Sequence, residues 1–445
     1  MSISKNSSFV FASQCVIFFT SILAGIVVTR TLGPTNRGIY FLVLTINAFI
    51  INIANVGIRF TNTYMLSKGK YNINEVNSNS ILIAGLISAI AFIGYFLSGG
   101  FINARFLKEI RPLYIILSIS LIPFALYSNY WRGIMAGLNK FFLISVMDVS
   151  IAIIGLFLSI AVVLKWGLNG VIWLWFITSI VIFLLELFLI NKIERIKLKF
   201  SWKCFKESIS FGFVGHLGNI AYHIYSRIDV FIVNFFLGVT GVGFYSLAST
   251  IAEKVVFVPG VITTVSNPRL GSSSQKEANE LSGRLFRHTL LAASFTALCI
   301  LIIAPWGIPL LYGKDFLPSV KPLLILLAGM VFMPVSSSIS SFFIFHKGEP
   351  KVPAMVSWIS LFINIPLCVI LTTKYGFKGT AGAIALTYLL QFLILASLFL
   401  RVSKMRISDA FIAGRDDIKA YALLITENIK KAKLYLQRLK YRFNG

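Results

Sequence analysis

The sequence predicts an all-α polytopic membrane protein, with twelve transmembrane helices in two pseudo-symmetric six-helix bundles. Three observations carry that expectation. Of 445 residues, 57% are hydrophobic and only 13% charged, whereas a soluble chain carries about a quarter charged. The apolar residues are gathered into runs of roughly 20 to 28, enough for a helix to cross a hydrocarbon core of about 30 Å. The chain also repeats itself about 205 to 211 positions further on, as membrane transporters built from two similar halves do.

The repeat is legible at four places. Leu32-Gly33-Pro34-Thr35-Asn36-Arg37-Gly38-Ile39-Tyr40 returns as Leu237-Gly238-Val239-Thr240-Gly241-Val242-Gly243-Phe244-Tyr245. Arg111-Pro112-Leu113 returns as Lys321-Pro322-Leu323, and Pro123 as Pro334. Lys165-Trp166-Gly167-Leu168-Asn169-Gly170 returns as Lys374-Tyr375-Gly376-Phe377-Lys378-Gly379.

The spans follow in order. The first, 9–32, is too long and lacks the small-residue cleavage site of a secretory signal peptide, so it reads as helix one. The rest of the N-terminal bundle (1–190) comprises 38–62, 80–102, 112–136, 141–164 and 168–190. A basic, amphipathic cytoplasmic linker, 191–207, leads to the C-terminal bundle (208–400), with spans 208–237, 242–266, 286–312, 320–345, 352–373 and 379–400. Beyond Leu400 the chain becomes a basic tail (401–445) whose stretch Asp417–Phe443 reads as an amphipathic helix lying on an anionic leaflet. Six prolines (Pro123, Pro259, Pro305, Pro309, Pro334, Pro366) fall inside spans and predict kinks, matched between halves at Pro123 and Pro334.

An even number of spans puts both termini on one side. Placing them in the cytoplasm assigns 28 of 41 Lys and Arg to that side and 10 to the other, leaving Arg59, Arg227 and Lys254 within spans. That asymmetry is the positive-inside pattern, so both ends are expected inside. The same distribution explains the net charge of +25 without nucleic acid, since no basic stretch is interleaved with stacking aromatics outside the spans. Cys15, Cys204, Cys299 and Cys368 lack CxxC spacing and imply neither disulfides nor a metal site.

The polar residues inside the spans point to function. On a helical wheel for span seven, His216, Asn219, His223, Arg227 and Asn234 fall within about 80° of one another. Span two carries Thr45, Asn52, Asn55, Arg59 and Asn62, and span one adds Gln14, Ser21 and Gly25. Polar groups at membrane depth face water or a ligand, so these stripes describe a wet, basic cleft between the halves. A guanidinium binds phosphate oxygens bidentately and stays charged, so Arg227 and Arg59 suit an anionic headgroup. The candidate substrate-binding set is Arg227, Arg59, His223, Asn219, His216, Asn55, Asn52 and Gln14. Asp229 lies on the opposite face, with Lys254 as its candidate partner. Glu253, in mid-span eight, and Asp148 are the candidate ion-coupling carboxylates; Asp148 and Glu186 sit near the cytoplasmic span ends and read as solvated. No HExxH, GxSxG, Walker loop or DxD motif appears in a credible context, which excludes an ATPase and gives no catalytic residue.

At Arg227-Ile228-Asp229-Val230-Phe231-Ile232, followed by Leu237-Gly238, Gly243 and Tyr245-Ser246-Leu247-Ala248, the chain resembles the polysaccharide transporter family of the multidrug/oligosaccharidyl-lipid/polysaccharide (MOP) exporters. Thr29-Arg30-Thr31-Leu32-Gly33-Pro34 with Gly38-Ile39-Tyr40 resembles that family's first helix-to-helix corner, and the likeness extends over residues 1–400. Where the family often has a glutamate before the corner glycine, this chain has Asn36-Arg37. The resemblance implies a MOP/MATE-like V of two bundles with spans one, two, seven and eight lining the cleft. It implies a flippase, not an enzyme, for undecaprenyl-pyrophosphate-linked repeat units of O-antigen, capsule or exopolysaccharide, working by alternating access in a bacterial inner membrane. No cofactor is implied; a proton or sodium gradient is the candidate energy source. Membrane lipids, a polysaccharide polymerase and a chain-length regulator are the expected partners, and nucleic acid is not. Three other readings are a drug/cation antiporter of the same fold, for which acidic stripes are expected, a polysaccharide polymerase or ligase, for which a sizeable external loop is expected, and a structural scaffold for an export complex, which would leave the buried stripes unexplained.

Overall fold

The computed structural model describes residues 3–412 and Gly414. The stretch Asp417–Phe443, expected as an interfacial helix, lies outside the described residues. Within them the chain is helical and has no strand.

Helix α1 (Ile3–Ala54) has 52 residues, about 78 Å of helix against a ~30 Å hydrocarbon core. It is two arms joined at Gly33, whose φ of 68° and ψ of 177° are tolerated by glycine. A break at residues 55–57 precedes α2 (Ile58–Ser67). Then come α3 (Ile73–Arg105), α4 (Pro112–Ser120), α5 (Ile122–Gly137) and the 53-residue α6 (Phe141–Ile193), which turns at Gly167. Helix α7 (Trp202–Tyr225) is separated by Ser226 and Arg227 from α8 (Ile228–Ala252), which turns at Gly238. A 3-10 turn (Glu253–Val256) leads into α9 (Phe257–Ser272) and α10 (Gln275–Leu311). A second 3-10 turn (Lys314–Ser319) precedes α11 (Val320–Met330) and α12 (Phe332–Ser341), and a π turn (Phe342–His346) follows. Helices α13 (Lys351–Tyr375), α14 (Phe377–Ser403) and the short α15 (Ile407–Phe411) complete the described chain.

The sequence repeat is a repeat of backbone geometry. Gly33 and its counterpart Gly238 share one conformation (φ 68°, ψ 177° and φ 69°, ψ −177°). Gly167 and its counterpart Gly376 are both left-handed, at φ 55° and 62°. Pro123 and Pro334 each sit in the first turn of a new helix, after breaks at Leu121 and Val331, where the amide that proline lacks is not needed. Nine segments among the described residues are long and apolar enough to cross a membrane. Three of them, of 44, 53 and 57 residues, contain the turning glycines Gly33, Gly167 and Gly238, so segments and crossings are not one to one.

Spans two and seven differ from the continuous helices expected. Val56 (φ 54°) and Gly57 (φ 71°) are left-handed, a conformation that is strained for a β-branched residue. Close packing holds it there. A Cβ on Gly57 would stand 2.3 Å from the Gly212 carbonyl oxygen, and one on Gly212 would stand 2.3 Å from that of Val56. A second close crossing joins α2 to α5 through Gly133 and Gly137, one turn apart: a Cβ on Gly133 would lie 2.3 Å from the Arg59 carbonyl oxygen. Thr63 Oγ1 donates to the Gly133 carbonyl at 3.0 Å. Small residues spaced in this way let helix backbones meet where no water drives association.

Residues 194–201 of the linker are non-helical and strapped to the start of α3. Asn74 donates to Glu194 at 2.7 Å and accepts from the Lys197 amide at 2.9 Å. Ser78 accepts from the Lys199 amide at 2.9 Å, and Lys199 Nζ pairs with Glu75 at 3.0 Å.

Two compact units emerge. One gathers Met1–Ala252, Ile300–Gly329 and Ala354–Thr387, with Trp131, Tyr127, Tyr130, Tyr225 and Tyr245 among its fully buried side chains. The other gathers Glu253–Cys299, Met330–Pro353 and the described residues from Tyr388 onward. Its core sets Phe399 edge-on to Phe286 and Phe342, each at 4.9 Å, with Phe411 of α15 stacked on Phe286 at 5.6 Å.

Candidate functional site

The predicted substrate-binding residues fall, within the first unit, on α1, α2 and α7 and in the breaks that follow α1 and α7. At one end of the seam of α1 and α2 with α7 and α8 the two repeated corners meet. Thr35 Oγ1 lies 2.9 Å from Thr240 Oγ1, its own counterpart in the repeat. A Cβ on Gly38 would stand 1.8 Å from the Val239 carbonyl oxygen, and one on Gly243 would stand 1.9 Å from that of Pro34. Gly38 and Gly243 are counterparts, as are Pro34 and Val239, so the contact is reciprocal. At the other end the break before α2 packs on the first half of α7. His216 Nε2 is 3.0 Å from the Ile53 carbonyl oxygen, Thr61 Oγ1 donates to the Ser208 carbonyl at 3.4 Å, and Tyr64 stacks on Phe211 at 5.0 Å. Lys70 and Glu207 close that end with an ion pair of 2.8 Å. This contact holds the Lys70 ammonium above, and the Glu207 carboxyl below, their ordinary pKa values.

The two polar stripes do not lie on single helices. Helix α7 carries His216, Asn219 and His223; Arg227 stands in the turn and Asn234 on α8. Helix α1 carries Thr45 and Asn52, Asn55 stands in the break, and Arg59 and Asn62 begin α2. The left-handed residues Val56 and Gly57 interrupt span two, so its polar residues do not share one continuous helix face. Each break instead sets an arginine at a helix start: Arg227 directly before Ile228, and Arg59 directly after Ile58.

Individual placements vary. His216 is buried, and its ring lies 6.4 Å from that of the partly buried His223. Arg227 and Asn52 are partly buried; Asn219, Arg59 and Gln14 are exposed. Asn55 donates to Asn129 of α5 at 3.0 Å, and Asn234 to the Phe106 carbonyl at 2.5 Å. Phe49 and Phe231 meet edge to face at 5.1 Å between the two ends of the seam.

The carboxylates fall into three settings. Asp148 accepts from both terminal nitrogens of Arg132, at 2.9 and 2.6 Å, and Arg59 lies within electrostatic reach of that pair. Glu186, expected to be solvated, is fully buried and accepts from Ser128 Oγ at 2.5 Å, because its helix face packs on α5 rather than ending in water. Glu253 is partly buried and opens the 3-10 turn beside Lys254. Asp229 is buried and accepts from the Tyr245 hydroxyl of its own helix.

A model of the family described as "Polysaccharide biosynthesis protein" matches residues 3–274, more than half of the chain. The chain belongs to that family. A second model, described as "MatE", matches residues 216–370 of this family member. A Shigella flexneri protein described as "Putative O-antigen transporter" is 25% identical over 420 residues, covering 90% of this chain and 99% of that protein. The lipid II flippase MurJ, in an inward closed conformation, has a TM-score of 0.73 at 21% identity over 90% of this chain and 89% of that one. An inward-facing multidrug resistance MATE family transporter of the MOP superfamily has a TM-score of 0.70 at 14% identity, over 89% and 99%. The all-α fold is the one shared with these two structures, and the apolar helices long enough to cross a membrane are those the sequence led one to expect.

This polysaccharide biosynthesis family member holds two features that the sequence reading missed. The Arg132–Asp148 pair follows from the tight α5–α6 turn around Asn139, which brings flanking residues of antiparallel helices together; hairpin spacing was the available signal. Arg37, expected in an external loop between spans one and two, belongs to the second arm of α1 and is 7% exposed. It donates to Thr29 of the first arm and, at 3.4 Å, to Thr250 of α8.

Proposed function

We propose that this family member is a flippase that moves undecaprenyl-pyrophosphate-linked oligosaccharide repeat units of O-antigen, capsule or exopolysaccharide from the inner to the outer leaflet of a bacterial cytoplasmic membrane. The observation that carries the reading is the pair of broken helices. Discontinuous membrane helices supply binding sites because the freed helix N-termini carry positive dipole and open amides. Here each break adds a guanidinium, Arg59 at the start of α2 and Arg227 at the start of α8, which suits a pyrophosphate. His216, His223, Asn219, Asn52, Asn55 and Gln14 would supply uncharged contacts to sugar.

The mechanism needs no covalent chemistry. Two six-helix bundles, 1–190 and 208–400, rock about the linker 191–207 and open the site to each side in turn. With both termini in the cytoplasm, the Gly33 and Gly238 corners lie outside, and their reciprocal contact is the closed outer gate. Glu253 and Asp148 are the candidate groups through which a proton or sodium gradient drives the cycle, and a polymerase and chain-length regulator receive the product. The test is reconstitution into proteoliposomes with a lipid-linked oligosaccharide and a leaflet-sidedness assay. A protein that binds the lipid yet never changes its sidedness defeats the reading.

The match of residues 216–370 to the MatE model supports a second reading, a drug/cation antiporter. Arginines at both helix starts oppose a cationic substrate, and drug extrusion from vesicles that is independent of Arg227 would favour it.

A further inference from the structure

We propose that Arg37 forms a second, gated oxyanion site, distinct from Arg59 and Arg227, that takes a phosphate-type group. The inference rests on the flippase reading for the motion that opens the site, and on geometry for the site itself. Arg37 is 7% exposed. One terminal nitrogen, Nη1, is tied to the Thr29 hydroxyl, while Nη2 has a long 3.4 Å contact to Thr250 Oγ1 and Nε has no partner. Among the described residues, no carboxylate lies within ion-pair distance of Arg37. Burying a guanidinium without an anion is costly, and the nearby C-terminus of α10 is already served by Arg30, which donates to the Leu310 carbonyl at 3.0 Å.

The open valences define the ligand. Nε and Nη2 present the two parallel N–H groups of one guanidinium edge, the arrangement that grips two oxygens of a phosphate. Thr250 adds a hydroxyl, and Tyr40 and Tyr312 lie within electrostatic reach. The gate is adjacent in sequence. Gly38, the next residue, is the one whose Cα abuts the Val239 carbonyl, and Thr35 holds Thr240 two residues earlier. Parting those corners uncovers the free edge of Arg37 on the side where the corners stand. The oxyanion is either the pyrophosphate of the lipid-linked substrate or the headgroup phosphate of a bilayer phospholipid.

The test measures binding of farnesyl pyrophosphate to the purified full-length protein in detergent, and of the protein in nanodiscs to added phosphatidic acid. Wild type is compared with Arg37→Gln, Arg37→Lys and Thr250→Val. A loss of tenfold or more in affinity for farnesyl pyrophosphate in Arg37→Gln, with Arg37→Lys intermediate, supports the site with the substrate as its source. The same loss confined to phosphatidic acid supports it with the bilayer as the source. Equal affinity of wild type and Arg37→Gln for both probes overturns it. If Arg37→Gln does not fold, unchanged affinity in both Arg37→Lys and Thr250→Val overturns it instead. A wild type that fails the sidedness assay while Arg37→Gln loses binding defeats the flippase reading and leaves the site standing; the converse defeats the site alone.

Discussion

Thr35 and Thr240 share a hydrogen bond, Oγ1 to Oγ1 at 2.9 Å, across 205 residues. That interval is also the one at which the Leu32–Tyr40 segment returns. Each threonine is therefore bonded to its own counterpart, which places a local two-fold axis through the bond and makes the corner contact isologous in the sense used for symmetric dimers. In the proposed cycle this contact is the outer gate, and a cross-link across it should lock it. In the double variant Thr35→Cys/Thr240→Cys, oxidation is expected to give an intramolecular disulfide and to stop translocation in proteoliposomes, with recovery on reduction. Full transport by the oxidised, cross-linked protein would show that the corners never part.

Gly38 and Gly243 make the same contact sterically demanding. A Cβ at either would meet a carbonyl oxygen at 1.8 or 1.9 Å, so Gly38→Ala or Gly243→Ala should destabilise the closed corner by about 1–3 kcal/mol, as overpacking does. Spin labels across the corner are expected to report a shift toward longer distances. Gly25→Ala, where a Cβ meets nothing within 4 Å, should leave those distances unchanged.

At the breaks, Arg227→Gln is expected to slow translocation of a lipid-linked oligosaccharide about tenfold or more, equivalent to ~1.4 kcal/mol of lost interaction. Arg227→Lys should recover part of it, because charge survives while the bidentate fork does not. Arg59→Gln should act in the same direction but less, since Arg59 is exposed whereas Arg227 is partly buried. Rates in vesicles under single-turnover conditions check both.

The Arg132–Asp148 pair, with side chains 29% and 18% exposed, joins α5 to α6. Asp148→Asn should lower thermal stability, by roughly 1–3 kcal/mol for a hydrogen-bonded charge left without its partner. Adding Arg132→Gln should restore part of that loss. A strictly additive double variant would show that the pair contributes no coupling.

The Lys70–Glu207 contact has a defined pH window. Its hydrogen-bonded partner lowers the Glu207 carboxyl below 4.5, so that contribution is present above the unfolded value and is lost as pH falls through the folded one. Lys70 is raised above 10.5, so its contribution is present below that value and is lost as pH rises beyond the folded one. The coupling measured by a double-mutant cycle should therefore be constant near neutrality and vanish at both extremes. Because Lys70 is exposed and Glu207 partly so, it should also fall with added salt.

Much of this architecture is local and was legible in the chain. Apolar runs long enough to span a bilayer become helices wherever they occur, because lipid offers backbone amides no other partner. A repeat that includes Gly33 and Gly238 fixes matching turns, since glycine is the residue that enters that conformation freely. The membrane class, the family and the paired corners are written there. The candidate site was legible only as a set of residue types. The sequence carries no local reason for Val56 to be left-handed: the close approach of Gly57 and Gly212, 155 residues apart, decides it. That approach coincides with the break in span two, and His216 of α7 reaches the Ile53 carbonyl beside it. Likewise Arg37 reads as a loop cation until Thr29, Thr250 and the opposing corner surround it. Composition determined that the chain is a helical membrane protein, and the repeat that its corners recur in matched pairs. Packing between distant backbones, which no single segment encodes, decided where its helices break and which of its cations are buried.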